Sequence, residues 1–420
     1  NNISSSPMSL RKNILDGIRV IDLSQFLSGP HATLLLAGLG AEVIRVDHPK
    51  TGTSLAKTPI YFGKNGPSFN KKDETDIGIS FLKRCRSKKS VTIDLKTKLG
   101  HDLFLKLVEK SDILVENFSV GVTERLKVNW HILNKINPRL IYCSLTGYGS
   151  TGPDSHRKGY DTTTQAMSGL MSVTGQPGGP PTKAGTPLAD TIAASFALSG
   201  ILAALYHRES TGLGQFVDIS MVDTLFSSLF DDPIDCFEKL GLKFQQGNRL
   251  VRFSPFNTYK TKDSWIVICC GTDEMWKKLC KTIDRLDLSK EKNWSRMDWR
   301  VAHNDIVDDL ISSWTSKFST KSALKILENE DIVASPVQDI NDLLNWNHLK
   351  YREMINDVEH PQLGKLTRIK AAGFPIKFSD AETGYKGPAL PSGTNNNQIF
   401  GELIGLKEKD LKELRDKNII

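Results

Sequence analysis

The sequence Gly17-Ile18-Arg19-Val20-Ile21-Asp22-Leu23 is followed by Ser28-Gly29-Pro30 and then by an apolar run from His31 to Leu39. A short β-branched segment favours a strand, and a turn that places proline at the first helical position favours a helix start. Gly40 ends this helix, and Ala41 to Val46 has the composition of a second strand. The beginning of the chain therefore predicts a β-α-β unit.

The same alternation continues along the first half of the chain. Strands are predicted at residues 90–95, 112–116, 139–145 and 215–221, with helices at 99–108 and 130–136. Strands that alternate with helices form parallel units with right-handed crossovers. The predicted fold class is therefore α/β, with a doubly wound parallel sheet. Ligands of such sheets bind beyond the carboxyl ends of the strands, which here lead into Ser24–Ser28, Asp47–Pro49, Asn117–Phe118 and Thr146–Gly149.

The pattern changes after residue 228, and three regions are predicted. Residues 10–228 form the first part of a large domain, residues 229–335 a smaller α+β domain, and residues 336–420 a C-terminal segment. The prediction includes a helix at 222–240, strands at 364–370 and 374–378, and a charged helix at 407–417.

Composition limits the functional class. The chain has 420 residues, 39% of them hydrophobic, and a formal net charge of +7. This mild excess of positive charge suits an anionic ligand and is far from that of a nucleic-acid-binding protein. The six cysteines show no metal-binding or disulfide spacing, so no metal site is predicted. The chain begins at Asn1 without methionine, and this start is interpreted as a processed tail.

One carboxylate stands at the start of an apolar helix. Gly185-Thr186-Pro187-Leu188-Ala189-Asp190 runs into an apolar segment that ends near Tyr206. The segment is too short for a membrane span and is predicted to be a buried helix. Asp190 has two interpretations: an N-terminal cap that satisfies free N–H groups, or a nucleophile that those donors keep ionised. The stretch alone favours the cap.

Two other patterns in the sequence are typical of phosphate or nucleotide binding. Gly147 to Gly152 matches GxGxxG, but Pro153 and a basic run follow where a nucleotide-binding fold has a helix, so the glycines are predicted to serve turns. A basic cluster precedes the strand at 90–95. It is either a solvated face or a phosphate site, and its members are Lys83, Arg84, Arg86, Lys88 and Lys89.

Many ordered motifs together resemble the class III CoA-transferases, the family of formyl-CoA transferase, carnitine CoA-transferase and the α-methylacyl-CoA racemases. The match is dense to about Val222. Besides the two strand motifs at the N-terminus it includes Ser87 to Leu95, Asp112 to Phe118, Asn137 to Ile141, Gly147-Tyr148-Gly149, Gly159-Tyr160-Asp161, Gly185 to Asp190 and Thr211 to Gln215.

The resemblance implies that Asp190 is the nucleophile and that CoA is a cosubstrate, with no permanently bound cofactor. A carboxylate that attacks an acyl-CoA thioester gives an acyl anhydride and then an enzyme-bound CoA thioester. The resemblance also implies a Rossmann-like large domain closed by the C-terminal segment, in an interlocked, ring-like homodimer. By position, the CoA contacts would be Ser28, His48, Lys88, Lys89, Asn117, Phe118, Arg125 and Lys158.

Departures from the family pattern bear on the substrate. Tyr160, assigned to substrate binding, stands where racemases carry a histidine base, which disfavours racemisation. The glycine loop of formyl-CoA transferase is absent near residues 245–256. Arg249 and Arg252 there are candidates for binding the far carboxylate of a dicarboxylic acid, or else for surface salt bridges. Ser392-Gly393-Thr394-Asn395 replaces a Gly-Glu-His-Thr motif.

Within the family, the chain resembles members that pass CoA from succinyl-CoA to glutarate or hydroxymethylglutarate in mitochondria. The expected partners are therefore small acyl-CoA and dicarboxylic acid molecules, not nucleic acid or membrane. Two alternatives remain: a racemase-like enzyme, and a non-catalytic acyl-CoA-binding protein that kept the fold.

Overall fold

The computed structural model describes residues 13–420, which form two compact units. The first unit contains residues 13–170, 184–231 and 347–420, and the second contains residues 171–183 and 232–346. The predicted boundaries after residues 228 and 335 fall earlier than those of the structure. The segment 171–183, assigned by sequence to the large domain, belongs to the second unit.

The first unit is built mainly from alternating strands and helices. Its elements as far as residue 231 are β1 (Arg19–Asp22), α1 (Ser28–Gly38), β2 (Glu42–Asp47), β3 (Tyr61–Gly63), β4 (Gly66–Ser68), β5 (Ile77–Gly78), α2 (Ile79–Arg84), β6 (Lys88–Thr92), α3 (Lys98–Glu109), β7 (Ile113–Glu116), α4 (Val122–Arg125), α5 (Trp130–Ile136), β8 (Ile141–Thr146), α6 (Asp161–Met167), α8 (Leu188–Thr211), β9 (Phe216–Ser220) and α9 (Met221–Leu229). The short helix α7 (Leu170–Val173) begins at the last residue of this part and continues into the second unit.

Six of these strands form one parallel sheet in the order β6-β2-β1-β7-β8-β9. Numbered by their own sequence, the six strands follow the 3-2-1-4-5-6 order of a doubly wound Rossmann fold, which confirms the predicted fold class. The order reverses between β1 and β7. A crevice forms beyond the carboxyl ends of the strands at such a reversal, and ligands bind there.

Both faces of the sheet are covered, so neighbouring residues of one strand enter different cores. Val20 packs with α1 and α8, whereas Ile21 packs with α3 and the C-terminal residues Ile419 and Ile420. Side chains alternate along a strand, and both sides are apolar because helices cover both. This is why the strands have nearly continuous apolar sequences rather than alternating ones.

Helix α8 is the central helix of the first face. Among the described residues it is the one helix whose length and composition would also suit a membrane span, a property that core helices share. Its buried residues include Ala189, Ala193, Ala197 and Ala204, which follow a helical stripe and pack in one core with α1 and α9. Small side chains allow close approach of α8 to its neighbours and fix the position of its first turn.

The rest of the first unit lies at the C-terminus. It contains α15 (Asn347–Tyr351), β13 (Ile355–His360), β14 (Gly364–Ala372), a π-helix (Asn397–Leu403) and α16 (Glu408–Asp416). The divergent segment at 392–395 follows the outer strand β6: Ser392 donates to Asp47 (2.7 Å), and Asn395 accepts the Ser90 N–H (2.9 Å). The segment thereby pairs the free edge of the sheet.

The second unit has its own core around a three-stranded antiparallel sheet. Its elements are β10 (Phe256–Lys260), β11 (Trp265–Cys269), α10 (Asp273–Thr282), α11 (Met297–Ala302), α12 (Asn304–Thr315), α13 (Thr320–Asn329), β12 (Ala334–Pro336) and α14 (Ile340–Asn345). This mixture of helices and antiparallel strands has the α+β character that the sequence predicts for this region.

Two predictions of secondary structure differ from the structure, and one region contains elements that the sequence does not predict. The helix at 222–240 ends at Leu229, before Asp231-Asp232-Pro233, because proline disfavours a helical residue before it. Residues 374–378 form no strand. The polar segment 47–89 contains α2 and three strands of two or three residues, too short to give a periodic pattern.

Candidate active site

A cavity of about 260 Å³ lies at the reversal point of the sheet. The loop that follows β1 and the residues that follow β7 line it, together with the loop after β8 and the first turn of α8. The residues that line the cavity include Phe26, Ser28, Asn117, Phe118, Lys158, Tyr160 and Asp190. The topology of the first unit therefore brings Asp190 to the position where a doubly wound sheet binds its ligand.

The loop after β1 is held in a fixed shape by Asn117. The Asn117 amide accepts the Gln25 N–H at 2.7 Å and donates to the Gln25 carbonyl at 2.7 Å. Phe26 follows with a φ of +62°, in the left-handed region that residues with a side chain rarely adopt. Arg84 donates to the Phe26 carbonyl at 3.0 Å, and the Phe26 ring packs edge-on against Tyr160 at 6.2 Å. Asn117 and Arg84 thus hold an aromatic pair at the cavity.

The start of α8 is capped by a residue distant in sequence. Asp161 Oδ1 accepts the Ala189 N–H at 2.8 Å and the Asp190 N–H at 3.3 Å, and Gln165 donates to Asp161 Oδ2 at 2.8 Å. Pro187, which precedes the helix, supplies no side-chain cap. The capping role that the sequence alone favoured for Asp190 therefore belongs to Asp161.

The Asp190 carboxylate has no hydrogen bond or ion pair within residues 13–420. Burial is the main cause that raises its pKa to about 6, the nearby Asp161 raises it further, and Arg84 opposes both. A carboxylate with this pKa is mostly ionised at pH 7, and it faces the cavity without a partner. It is thus a more basic and less solvated nucleophile than an ordinary surface aspartate.

The raised pKa predicts how activity depends on pH. Transfer should fall below about pH 6, about tenfold per unit, as Asp190 takes up a proton. Asp161→Asn keeps an oxygen to cap α8 and removes the like charge, so the acid limb of kcat/KM should move to lower pH. Coincident acid limbs in the two proteins would contradict the role of Asp161 in setting the Asp190 pKa.

Several predicted ligand residues meet at this cavity. Ser28, Asn117, Phe118, Lys158 and Tyr160 line it with Asp190. Lys158 is exposed and, in the part of the chain that the structure describes, has no ion-pair partner, so its ammonium is free for a phosphate. Arg125 is also exposed and unpaired among those residues, but it lies outside the cavity lining.

Three other predicted CoA contacts lie elsewhere. The Lys88 ammonium is fully buried and donates to Asp22 (3.0 Å), the Pro30 carbonyl (2.9 Å) and Thr33 (2.7 Å). All three of its protons are used, so the structure gives Lys88 a structural role in place of the predicted CoA contact.

Lys89 pairs with Glu42 at 2.6 Å, where β2 begins, and not at the carboxyl edge of the sheet. His48 lies in the turn after β2, where its Nδ1 accepts the N–H groups of Lys50 and Thr51. That turn is at the carboxyl edge, but His48 does not line the cavity.

The two arginines predicted to bind a substrate carboxylate are occupied within the second unit. Arg249 bonds to Asp305 at 2.6 Å and to Asp308 at 2.8 Å. Arg252 bonds to Asp232 at 2.6 Å. Both arginines thus form the salt bridges that the sequence left as the alternative, and their contact with a substrate carboxylate stays a prediction.

Sequence reasoning missed functions for Asp161, Phe26 and Arg84. Asp161 belongs to the motif Gly159-Tyr160-Asp161, to which the sequence assigns no capping role, and Arg84 belongs to the basic cluster before the strand at 90–95. The glycine pattern after β8 does serve backbone geometry: Gly149 and Gly152 have positive φ, and a Cβ on Gly147 would lie 2.7 Å from Gly159 Cα. The loops that carry Gly147 and Gly159 can touch only because neither of these two residues has a side chain.

Comparison with known proteins agrees with this geometry. The family model described as CoA-transferase family III matches residues 15–396. The chain belongs to this family. The succinyl-CoA:mesaconate CoA-transferase of Haloarcula hispanica is 36% identical over 372 residues, 87% of this chain and 90% of the relative. The succinate–glutarate CoA-transferase of Agrobacterium fabrum is 31% identical over 398 residues, 94% of this chain and 97% of the relative.

A solved structure shows the same fold. The crystal structure of a CAIB/BAIF family protein from Brucella suis superimposes with a TM-score of 0.80 and 29% identity, covering 94% of this chain and all of the other. The family III CoA-transferase fold, with an unpaired aspartate at its strand-reversal cavity, is therefore present here.

Proposed function

We propose that this family III enzyme moves CoA from succinyl-CoA to a dicarboxylic acid such as glutarate or 3-hydroxy-3-methylglutarate, through an aspartyl-CoA thioester on Asp190. The observation that carries the proposal is the free, half-buried Asp190 carboxylate in the cavity, with its pKa raised to about 6. The names of the relatives support the substrate class, since mesaconate and glutarate are both dicarboxylic acids.

The first half of the reaction loads CoA on the enzyme. The Asp190 carboxylate attacks the thioester carbon of succinyl-CoA, and the C–S bond breaks to give a succinyl-aspartyl anhydride and CoA thiolate. The thiolate then attacks the aspartyl carbonyl carbon. Succinate leaves, and Asp190 carries CoA as a thioester.

The second half reverses these steps with the acceptor. The acceptor carboxylate attacks the aspartyl thioester and releases the thiolate, which then attacks the acceptor carbonyl of the new anhydride. The products are the new acyl-CoA and a regenerated Asp190 carboxylate. Shielding of the anhydrides from water preserves the energy of the thioester.

The oxyanions in these steps need hydrogen-bond donors other than the start of α8. The N–H groups of residues 188–191 are already bonded: Leu188 to Thr186, Ala189 and Asp190 to Asp161, and Thr191 to Pro187. These four N–H groups are therefore not available to stabilise an oxyanion.

The experiment that tests the proposal combines product formation with trapping. The protein is incubated with succinyl-CoA, treated with hydroxylamine or borohydride, and digested for mass spectrometry. We expect a modification at Asp190 that disappears on addition of glutarate, with glutaryl-CoA formed in equal amount. Reversible CoA binding without adduct or product would leave the binding-protein alternative standing.

No observation favours the racemase alternative. Proton transfer at an α-carbon needs a base beside the carboxylate, and the cavity lining within the described chain contains Tyr160 but no histidine. Incubation of a chiral 2-methylacyl-CoA with the protein should therefore leave its configuration unchanged.

We also propose, from the family resemblance, that the chain acts as a homodimer in mitochondria. The exposed rings of Phe226 and Phe230, stacked at 4.3 Å on and just after α9, give the first unit an apolar surface that a second copy would cover. Light scattering should give twice the 46.7 kDa mass of one chain. A monomer at micromolar concentration would refute this assembly.

A further inference from the structure

A group of positive charges lies at the end of α2 without ion-pair partners among residues 13–420. Lys83 and Arg84 end α2, and Arg86 follows two residues later; we call these three residues the α2 cation cluster. Arg86 is buried, and the other two are partly buried. Within residues 13–420 no cluster member forms an ion pair: Arg84 donates to the Phe26 carbonyl, and Arg86 donates to the carbonyls of Lys83 and Ala372.

The pKa of every cluster member is lowered, which reflects the cost of burying a cation. Burial lowers the pKa of Lys83, and repulsion from Arg86 and Arg84 lowers it further. Burial lowers the pKa of Arg84 and Arg86 as well. His31 on α1 faces the same group: burial, and then Lys88, Arg84 and Arg86, lower its pKa to about 4, so it is neutral at pH 7.

Asp190 interacts electrostatically with one member of the cluster, Arg84. Of the charged groups that act on Arg84, Asp190 is the strongest, and Arg84 in turn lowers the Asp190 pKa. Arg84 also bonds to the backbone of Phe26, which lines the cavity with Asp190. Arg84 therefore adjoins the cavity through Phe26, and partly buried cations without counter-ions favour an anion.

We propose that the α2 cation cluster is the subsite for the free carboxylate of the acyl group, with Arg84 as the residue that binds it. The inference rests on the proposed function and names the determinant of its substrate class. The free carboxylate of a succinyl or glutaryl group lies about 4–5 Å from the carbonyl carbon that Asp190 attacks, given carbon–carbon bonds of ~1.5 Å. The Arg84 guanidinium bonds to Phe26, which lines the same cavity as Asp190, and a guanidinium matches a carboxylate in shape and charge.

This assignment replaces the one made from sequence. Arg249 and Arg252 bind carboxylates of the second unit, whereas Arg84 binds one backbone carbonyl and, with respect to residues 13–420, keeps four of its five N–H groups for a ligand. A CoA phosphate is the other anion that the cluster could attract. The exposed, unpaired Lys158 and Arg125 suit a phosphate better, because they are accessible from solvent.

The test compares two acceptors that differ only in the free carboxylate. Glutarate and pentanoate are each supplied with succinyl-CoA, and kcat/KM is measured for wild type, Arg84→Gln, Arg84→Lys and Lys83→Gln. Loss of one charge-assisted interaction costs about 10–100-fold. We expect Arg84→Gln to reduce kcat/KM for glutarate by that factor and to change the value for pentanoate by less than about twofold, within ordinary mutational noise.

Two further variants make the comparison specific. Arg84→Lys keeps the charge and should retain much of the preference for glutarate. The Lys83 ammonium makes no bond to another described residue. Lys83→Gln should therefore fold normally and reduce the preference for glutarate, though less than Arg84→Gln does. If Arg84→Gln fails to fold, Lys83→Gln still tests whether the α2 cation cluster binds the free carboxylate. Arg252→Gln is the matched control: it removes a guanidinium that pairs with Asp232, and it should leave the glutarate-to-pentanoate ratio unchanged.

Three results would overturn the inference while leaving the proposed function intact. The first is an equal loss for both acceptors in Arg84→Gln, which would mean that Arg84 acts only through Phe26. The second is a loss of affinity of Arg84→Gln for CoA but not for 3′-dephospho-CoA, which would mean that Arg84 binds a CoA phosphate. The third is a large decrease in the glutarate-to-pentanoate ratio of kcat/KM in Arg252→Gln. Wild-type protein that transfers CoA to neither acid would refute the proposed function and this inference with it.

Discussion

Replacement of Asp190 by alanine is expected to reduce CoA transfer by at least about 10⁴-fold, as loss of a covalent nucleophile does in other enzymes. The reason is that no other carboxylate lines the cavity within the described chain. Succinyl-CoA binding should persist, because residues that hold the ligand, such as Phe118 and Lys158, are untouched. Initial rates of glutaryl-CoA formation and a separate binding titration measure the two effects.

Asp190→Asn adds a measurement of stability to the same position. The folded-state pKa of Asp190 is raised from 3.8 to about 6, so ionisation of Asp190 destabilises the fold above that pH and costs nothing below the unfolded value. The variant should therefore gain on the order of 1–3 kcal/mol at pH 8, and the gain should vanish as the pH falls below the unfolded pKa of 3.8. Asp154→Asn, which changes an exposed carboxylate paired with Arg157, should alter neither rate nor stability appreciably. An active Asp190→Asn protein would refute the nucleophile assignment.

The parallel sheet was predictable because its strands are buried on both faces. Val20, Ile21, Val43 and Ile44 are all buried, so the sequence around them is continuously apolar, and the intervening helices have regular spacing. The region from 47 to 89 offered no such pattern. Its strands contain two or three residues, and they are stabilised by contacts such as the Thr75 carbonyl with His360, 285 residues away.

The position of Asp190 was predictable from its motif, but its chemical state was not. An aspartate in the first turn of a helix normally caps that helix, and only the structure shows that Asp161, 29 residues earlier, has taken the N–H groups and left Asp190 free. The same is true of Arg84. Its role depends on which carboxylates come near it in the fold, and a charge cluster in a sequence does not contain that information.

Lys88 separates a structural from a ligand-binding interpretation of the basic cluster. Burial opposes ionisation of Asp22, but Lys88 and the hydroxyls of Ser24 and Thr33 outweigh it and hold the pKa of Asp22 below its ordinary value. Lys88→Met removes the cation that forms a salt bridge with this buried carboxylate. Breaking a buried pair by removal of one partner costs about 3–5 kcal/mol, so we expect a loss of this size in the free energy of unfolding at pH 7.

The dependence on pH and a matched lysine complete the test of Lys88. A lowered carboxylate pKa contributes stability above the unfolded pKa of 3.8 and loses it as pH falls through the folded value, so the gap in stability between wild type and Lys88→Met should narrow below pH 3.8. Lys89→Met, which removes a partly exposed ion pair with Glu42, should cost less than about 1 kcal/mol. Urea titrations at several pH values measure both. If Lys88→Met unfolds like the wild type but binds CoA at least tenfold more weakly, the buried ammonium must leave Asp22 to reach the ligand, and the sequence-based assignment of Lys88 to CoA would be right after all.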